Sequence, residues 1–269
     1  MKIYIPTLGR INNQKTLNNL PTKYQKMVTL VVQLKESKQM MDLYGDMVKN
    51  FMVVDDDIGI AKTREEICRN GGKDRFYMID DDVVLYRRNQ SFFYDYGNKS
   101  NMDKTNKKIT ESSEIDYMFD VFNCHLNETD VMCVGHRGYG NRPLQKSFST
   151  NVLLHGAVYI DGEKLSKIIN DINWTLCEYA EDVNFNFEYF SRGFKNIRSD
   201  EFLGKWDVYT EGGVNDKRDK ESYYKEHEKL RSKWHKYVTR KSEISKRNII
   251  GEIHDYKYNL RLCYKDSQS

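Results

Sequence analysis

The chain has 269 residues and a mass of 31.9 kDa, enough to bury a sizeable core in one large domain. Its 43 basic residues nearly balance its 40 acidic ones, and a mean hydropathy of -0.78 is typical of a soluble protein. No apolar stretch approaches the ~20 residues that span a bilayer, so the sequence predicts neither a membrane segment nor a secretory signal. Five scattered cysteines, none in a C-x-x-C pair, argue against a structural zinc site and indicate reduced thiols in a cytoplasm.

The first third of the chain alternates short apolar runs with segments of helical composition. The apolar runs lie at 1–6, 27–34, 51–54 and 76–79. Four such units within so short a length are typical of an α/β fold. The first run leads into Thr7-Leu-Gly-Arg10, and a loop after a first strand is where an α/β fold receives a nucleotide.

Three consecutive aspartates follow the fourth apolar run. If the backbone is extended there, Asp80 and Asp82 lie on one face and Asp81 lies on the other, so the first and third can share a divalent ion. Carboxylate oxygens suit Mg²⁺ or Mn²⁺, which keep open positions for substrate phosphates. A solvated turn is the alternative interpretation.

A helix is predicted to begin near Gly59 and to end at Gly71-Gly72. Lys62 and Arg64 lie in its first turns, near the positive end of the helix dipole, where a pyrophosphate can bind. Pairing of Arg64 with a carboxylate of Asp55-Asp-Asp57 is an equally weighted alternative.

The middle of the chain is predicted to contain a polar loop at 97–113, a helix at 114–125 and strands at 131–135 and 152–160. The loop that begins at His136-Arg137 suits a phosphate or sugar contact, and an ordinary structured turn explains it equally well. His155 lies inside an apolar strand pattern, which favours a core residue over a ligand.

A further helix opens at Glu181-Asp182. Acidic residues in a first helical turn are ordinary dipole partners, and they can also be held half-desolvated to act as a general base. Position alone favours the capping role. The segment from Lys217 to Lys241 is predicted to be a charged helix whose basic and aromatic residues form either a nucleic-acid surface or a solvated face.

Four motifs together resemble those of GT-A-fold nucleotide-sugar glycosyltransferases: Ile5-Pro-Thr-Leu-Gly-Arg10, Gly59-Ile-Ala-Lys-Thr-Arg64, Met78-Ile-Asp-Asp-Asp82 and Glu181-Asp182. Within that class the chain resembles the phage and kinetoplastid group associated with TET/JBP-type base oxygenases, which includes the base J glucosyltransferase. The further likeness lies in Thr29–Gln33, in Gly135–Arg142 and in Gly212-Gly213 before a basic helix.

The resemblance implies an α/β, GT-A fold with a mostly parallel central sheet flanked by helices. It implies a glycosyltransferase domain at 1–215, with a nucleotide-sugar-binding half at 1–96 and an acceptor half at 97–215. A basic helical C-terminal extension would then occupy 216–269.

The resemblance also implies a role for each residue that matches a motif. Asp80 and Asp82 would hold the donor with its Mn²⁺ or Mg²⁺, and Asp182 would be the general base with Glu181 beside it. The other donor contacts would be Pro6, Thr7, Arg10, Gly59, Arg64 and Arg137.

The implied reaction is metal-dependent, inverting transfer of a sugar from a nucleotide sugar such as a UDP-sugar to a hydroxymethylated pyrimidine in DNA. Hydroxymethylcytosine is one such base. The many Lys and Asn residues and few Pro residues fit a phage-encoded protein acting in a host cytoplasm. Three alternatives stay open: the same chemistry on a polysaccharide, lipid or protein, a non-catalytic nucleic-acid-binding protein, and, ranked last, a metal-dependent nuclease or nucleotidyltransferase.

Overall fold

The computed structural model describes residues 1–88, 106–139, 147–206, 219–247 and 251–269. The elements up to residue 126 are β1 (Lys2–Pro6), α1 (Lys15–Asn19), α2 (Thr22–Gln25), β2 (Val28–Gln33), α3 (Leu34–Tyr44), β3 (Asn50–Val54), α4 (Gly59–Gly71), β4 (Arg75–Ile79), β5 (Val83–Arg88), β6 (Asn106–Lys108) and α5 (Ser112–Leu126). They are followed by β7 (Val131–Gly138), β8 (Phe148–Thr150), β9 (Ala157–Asp161), α6 (Gly162–Ser166), α7 (Glu181–Phe190), β10 (Lys195–Trp206), α8 (Lys220–Lys233), β11 (Val238–Arg247), β12 (Gly251–Tyr258) and α9 (Leu260–Ser267). Short 3-10 turns lie at Ile169–Asp171 and Trp174–Leu176.

Some of the sequence predictions concern residues outside these described ranges. Most of the loop expected at 97–113 lies outside the described residues, as do Arg142 and Gly212-Gly213. The described end of that segment forms β6 and the first turn of α5.

The expected α/β architecture is confirmed. One mixed sheet has the strand order β3-β2-β1-β4-β9-β7-β10-β5-β6, and β8 pairs with β10. Strands β1 to β4 are mutually parallel, and β7 is parallel to β10. Because β1 lies between β2 and β4, the strand order reverses there, and the carboxyl ends of these strands form the crevice where such sheets bind ligands.

Helices cover both faces of the sheet because the inner strands are apolar on both sides. Tyr4 belongs to one buried cluster, whereas its neighbours Ile3 and Ile5 belong to the other. The cluster with Tyr4 includes Ile67 and Cys68 of α4, as the periodicity of that helix predicts. Likewise, the face of α5 expected to be apolar is buried against the opposite side of the sheet; its residues are Ile115, Met118, Phe119 and Phe122.

The C-terminal extension is only partly helical, so the expectation of a helix as far as Lys241 is wrong. Helix α8 ends at Lys233, and β11 and β12 form an antiparallel hairpin before α9. The many Lys, Glu and Arg residues favour a helix locally, but burial of Trp234 and Val238 in the core ends the helix and starts the hairpin.

The extension packs on α7. The indole of Trp234 stacks on Phe187 with ring centroids 5.3 Å apart, and its Nε1 donates to Asn184 Oδ1 at 3.0 Å. Lys233 forms an ion pair with the fully buried Glu188. Because these contacts belong to the same buried cluster as the sheet, α8 supports the helix that begins with Glu181-Asp182. Of the helices that the structure describes, none has the length and apolar content that crossing a bilayer requires.

We expect Trp234→Ala to lower the free energy of unfolding by about 3–5 kcal/mol, because it removes a large buried side chain. Trp234→Phe keeps a stacked ring but leaves the buried Asn184 Oδ1 without this donor, and should cost about 1–3 kcal/mol. Urea unfolding followed by circular dichroism measures both. If the extension unfolds in a separate, earlier step while the main transition stays in place, the shared core is not one cooperative unit.

Candidate active site

A cavity of ≈ 370 Å³ lies at the carboxyl ends of β1, β2 and β4, between the start of α4 and the start of α7. It brings together nearly all the residues that the sequence singled out, although they are far apart in the chain. Those that line it are Pro6, Thr7, Arg10, Gly59, Arg64, Asp80, Asp82, Glu181 and Asp182.

The three aspartates form a turn between β4 and β5, so the premise of an extended backbone is wrong. Asp81 is buried and its Oδ1 lies 2.5 Å from Arg10 Nη1. The same guanidinium nitrogen lies 3.0 Å from Asp82 Oδ2. Arg10 therefore holds two of the carboxylates, and Asp80 and Asp82 still line the cavity.

Thr16 holds the backbone of this turn, a role that no sequence motif indicates. Its Oγ1 lies 2.5 Å from the carbonyl oxygen of Asp80 and accepts from the amide of Val83 at 2.8 Å. Its own amide donates to the carbonyl oxygen of Asp81 at 2.8 Å. These contacts span more than 60 positions in the chain, which no local pattern reveals.

Arg64 joins the aspartate turn to α7. Its Nη2 lies 3.1 Å from Asp80 Oδ1, and its Nη1 lies 3.0 Å from Glu181 Oε1. The alternative pairing with residues 55–57 is therefore wrong. Burial alone would lower the pKa of Arg64, but attraction by Glu181, Asp80 and Asp182 outweighs it and raises that pKa, so the guanidinium stays charged.

The carboxylates of the cavity outnumber its arginines. Burial raises the pKa of Asp80, Arg64 opposes that rise, and the negative charges of Asp82 and Asp182 add to it. The cavity thus has a surplus of negative charge around Asp80, which favours a bound cation.

The N-terminus of α4 is not open to a pyrophosphate. The amide of Ile60 donates to Glu178 Oε1 at 2.6 Å. Gly59 has a φ of 82°, and a Cβ built there would lie 2.2 Å from the same oxygen. The glycine makes room for Glu178, so a diphosphate could bind this helix end only by displacing that carboxylate.

Asp182 lies at the cavity on the first turn of α7, and Asp182 Oδ1 accepts from the amide of Val183 at 2.7 Å. Glu181 is 9% exposed and engaged by Arg64. The helix is fixed by Asn186, which donates to the carbonyl oxygens of Leu154 and Asp182. Asp182 is therefore the better placed of the two acids to meet a substrate.

Three lining residues were missed or misread in the sequence. His155, expected in the core, is exposed and lines the cavity, because β9 begins only at Ala157. Gly156 has a φ of 67°, its carbonyl accepts from the amide of Asp80 at 2.7 Å, and a Cβ there would lie 2.2 Å from Trp206 Nε1. Trp206 closes this side of the cavity, with its ring centroid 5.2 Å from that of His155.

Arg137 does not line the cavity, in contrast to the expectation that it contacts the donor. It lies on β7, and its Nη1 is 3.3 Å from Asp200 Oδ1. Its strand is separated from β1 and β4 by β9, which keeps Arg137 out of the crevice at the ends of those strands.

We expect Thr16→Val to lower the free energy of unfolding by about 2–3 kcal/mol, because the buried amide of Val83 loses its hydroxyl acceptor. The aspartate turn should also loosen, so binding of the nucleotide sugar that the sequence resemblance implies should weaken. Thr16→Ser keeps the hydroxyl and is the matched control. Chemical unfolding and calorimetric titration measure the two effects, and equal behaviour of the valine and serine variants would contradict the role of the hydroxyl.

Comparison with known proteins gives a consistent result. A model of the family described as TET-Associated Glycosyltransferase matches residues 1–209. The beta-glucosyl-HMC-alpha-glucosyl-transferases of Enterobacteria phages T2 and T6 are each 24% identical to the chain over 275 residues, which cover 98% of this chain and 92% of the relative.

Among solved structures, the mannosyltransferase PcManGT from Pyrobaculum calidifontis, in complex with GDP-Man and Mn²⁺, aligns with a TM-score of 0.51 and 12% identity. The alignment covers 87% of this chain and 64% of that chain, and at 12% identity it shows a shared fold alone. The family match covers most of the sequence and includes every residue of the cavity. The chain is a glycosyltransferase that belongs to the TET-associated glycosyltransferase family.

Proposed function

We propose that the chain transfers a sugar from a nucleotide sugar to a hydroxyl group on a hydroxymethylcytosine-type base in DNA, with a divalent metal ion. The observation that carries the proposal is the meeting of Asp80, Asp82 and Asp182 around one cavity. Support for the acceptor comes from the phage T2 and T6 relatives, whose name gives beta-glucosyl-HMC as acceptor and glucose as the sugar.

The donor set suits Mn²⁺ or Mg²⁺. Asp80 and Asp82 offer hard oxygen ligands. Burial, together with the negative charges of Asp82 and Asp182, raises the pKa of Asp80, and a bound cation would offset these effects. In the described part of the chain no group of three His, Cys, Asp or Glu side chains forms a metal cluster. This fits an ion held by one or two carboxylates and completed by donor phosphates and water. When bound, the ion would neutralise the charge that develops on the leaving diphosphate.

The nucleotide would enter at the crevice beside Pro6 and Thr7, at the end of β1. Gln14 Nε2 donates to Thr7 Oγ1 at 2.7 Å and to the carbonyl oxygen of Arg10 at 2.9 Å, so the loop is fixed before a ligand arrives. Arg10 keeps Asp82 in place, and Arg64 does the same for Asp80. The arginines thus orient the two carboxylates that would meet the metal.

Asp182 is the proposed general base. It would accept the proton of the acceptor hydroxyl as that oxygen bonds to the anomeric carbon, while the bond from this carbon to the diphosphate oxygen breaks. Glu181 is held by Arg64 and would position the helix start. Inversion requires the base and the leaving diphosphate on opposite sides of the sugar, so the sugar would have to lie between Asp182 and a diphosphate held at the β4–β5 turn.

The name of the phage relatives describes them as alpha-glucosyl-transferases, so the anomeric outcome is the part of the proposal that most needs a test. From a donor whose sugar is α-linked to the diphosphate, an inverting enzyme gives a β-linked product. Determining the anomeric configuration of the product by NMR therefore tests directly whether transfer inverts the anomeric carbon. An α-linked product from an α-linked donor would contradict inversion.

The acceptor can be tested by nucleoside mass spectrometry. The full chain is incubated with Mn²⁺, UDP-glucose or another nucleotide sugar, and DNA that carries cytosine, hydroxymethylcytosine or beta-glucosyl-hydroxymethylcytosine. We expect a nucleoside heavier by one hexose from one of the modified DNAs and none from cytosine DNA. Hydrolysis of the nucleotide sugar without a new nucleoside would refute the DNA acceptor and favour a polysaccharide, lipid or protein.

We expect Asp182→Asn to lower kcat by about 10²–10⁴-fold, because the amide cannot accept the proton. Binding of nucleotide sugar, measured by calorimetry, should change little, since the amide occupies the same volume. Asp182→Glu keeps a base of altered reach and should retain more activity than the amide variant. A kcat within threefold of the wild type for Asp182→Asn would remove Asp182 from the chemistry.

Removal of divalent ions with EDTA should abolish transfer, and Mn²⁺ should restore it. Asp82→Asn should raise the Mn²⁺ concentration needed for half-maximal activity by about tenfold or more, because a charged ligand is lost. Asp56→Asn is the matched control, since Asp56 belongs to another run of three aspartates and is exposed outside the cavity. Activity that is insensitive to EDTA would refute the metal.

A further inference from the structure

Two arginines contact one buried carboxylate next to the active-site region, and a third arginine interacts electrostatically with the same carboxylate. Nothing in the proposed reaction uses this group. The arginine cluster consists of Arg88 on β5, Arg137 on β7 and Arg198 on β10. Arg137 Nη1 and Arg198 Nε lie 3.3 Å and 3.4 Å from Asp200 Oδ1. The other oxygen, Asp200 Oδ2, accepts from Ser149 Oγ at 3.0 Å.

Positive charge exceeds the charge of this carboxylate. Burial lowers the pKa of Arg88, Arg137 lowers it further, and Asp200 only partly opposes the change. Burial also lowers the pKa of Arg198, with Asp200 opposing and Arg137 adding to the effect. The next acid along β10, Glu201, is held by Arg87 at 2.9 Å. Among the described residues, Arg137 and Arg198 share the single negative charge of Asp200, which leaves one positive charge in excess between these two side chains.

The excess charge is accessible. The side chains of Arg137 and Arg198 are 22% and 24% exposed, whereas that of Asp200 is 2% exposed. Next to Arg137, the ring of Tyr139 lies 4.8 Å from that of Tyr86, and Lys205 Nζ lies 5.3 Å from the Tyr139 centroid. Cationic and aromatic side chains on one surface are the means by which proteins follow a nucleic-acid strand.

A short series of neighbouring residues connects the arginine cluster with the cavity. Gly135 and Arg137 are two residues apart in β7, so they share a face of the strand and lie about 7 Å apart. A Cβ built at Gly135 would lie 2.7 Å from Leu154 Cδ2. The residue after Leu154 is His155, which lines the cavity. A strand whose base enters the cavity could thus place a neighbouring phosphate near Arg137.

We propose that the arginine cluster binds a backbone phosphate of the acceptor DNA next to the nucleotide being modified. The inference rests on the proposed function, in which the acceptor is DNA. A guanidinium group binds phosphate oxygens through paired hydrogen bonds, and such a contact fixes the register of the strand without reading its sequence. The cluster lies outside the nucleotide crevice, which favours a DNA phosphate over the donor diphosphate.

The test is equilibrium binding of the full chain to fluorescein-labelled, unmodified DNA, measured by anisotropy over a range of salt concentrations. We expect Arg137→Gln and Arg198→Gln each to weaken binding about tenfold and to reduce the salt slope by about one, as the loss of one phosphate contact does. Arg69→Gln is the matched control, because Arg69 is an exposed arginine on α4 that pairs with Glu65. It should leave the affinity unchanged.

We expect Asp200→Asn to change the DNA affinity in the opposite direction, a result that unfolding of the variant could not produce. Removing this carboxylate leaves Arg137 and Arg198 without their shared anion, so binding should tighten and the salt slope should increase. Wild-type affinity and slope for Arg137→Gln, an equal loss for Arg69→Gln, or weaker binding by Asp200→Asn at an unchanged Tm would each overturn the proposal. So would weakened binding of UDP-glucose, rather than of DNA, by Arg137→Gln, because the phosphate would then be that of the donor.

The binding measurement contains no donor and requires no transfer. Cluster-dependent DNA binding without transfer to any modified DNA would support the cluster while the proposed reaction fails. Transfer to DNA with DNA binding that does not depend on the cluster would support the proposed reaction and refute the role of the cluster.

Discussion

The ion pairs of Arg64 are the constraint on which the site depends. One guanidinium, on a side chain that is only 12% exposed, links α4, the β4–β5 turn through Asp80, and the start of α7 through Glu181. Removing it would leave two carboxylates in the cavity without their shared cation, a change that typically costs 3–5 kcal/mol. Because Asp182 follows Glu181 directly, the same contact sets the position of the proposed base relative to the proposed metal ligands.

Other contacts hold the two segments that Arg64 joins, the aspartate turn and α7. Thr16 and the carbonyl of Gly156 fix the backbone of the aspartate turn from two sides. On the opposite side, Trp234, which directly follows α8, holds α7 through Asn184. The site is thus built on buried elements, and the C-terminal extension contributes to its support.

Structure could be predicted from the sequence where burial or a functional motif produces a pattern among residues that are close in the chain. Apolar runs gave the strands, the 3.6-residue spacing gave the buried faces of α4 and α5, and motif order gave most of the cavity lining. The sequence was uninformative where a contact joins distant segments, as for Thr16. Lone residues were also misread: His155 was assigned to the core because the bend at Gly156 could not be seen, and Arg137 was assigned to the donor because its partner Asp200 lies on another strand.

The charges are divided between two regions. The cavity is rich in carboxylates, which suits a cation between the protein and a diphosphate, whereas the arginine cluster is rich in cations, which suits a DNA phosphate. A polyanionic acceptor would be repelled by an acidic cavity alone. The nearby arginines provide the opposite charge that would let a DNA strand approach Asp182.

The most direct test of this account is a crystal structure of the chain with Mn²⁺ and a nucleotide sugar, with the ion located by its anomalous scattering. We expect an ion bonded to oxygens of Asp80 and Asp82 and to the donor diphosphate, with Asp182 facing the anomeric carbon from the other side. An ion or diphosphate bound elsewhere, or Asp182 turned away from the sugar, would contradict the central claim that the aspartate turn and α7 form one catalytic site.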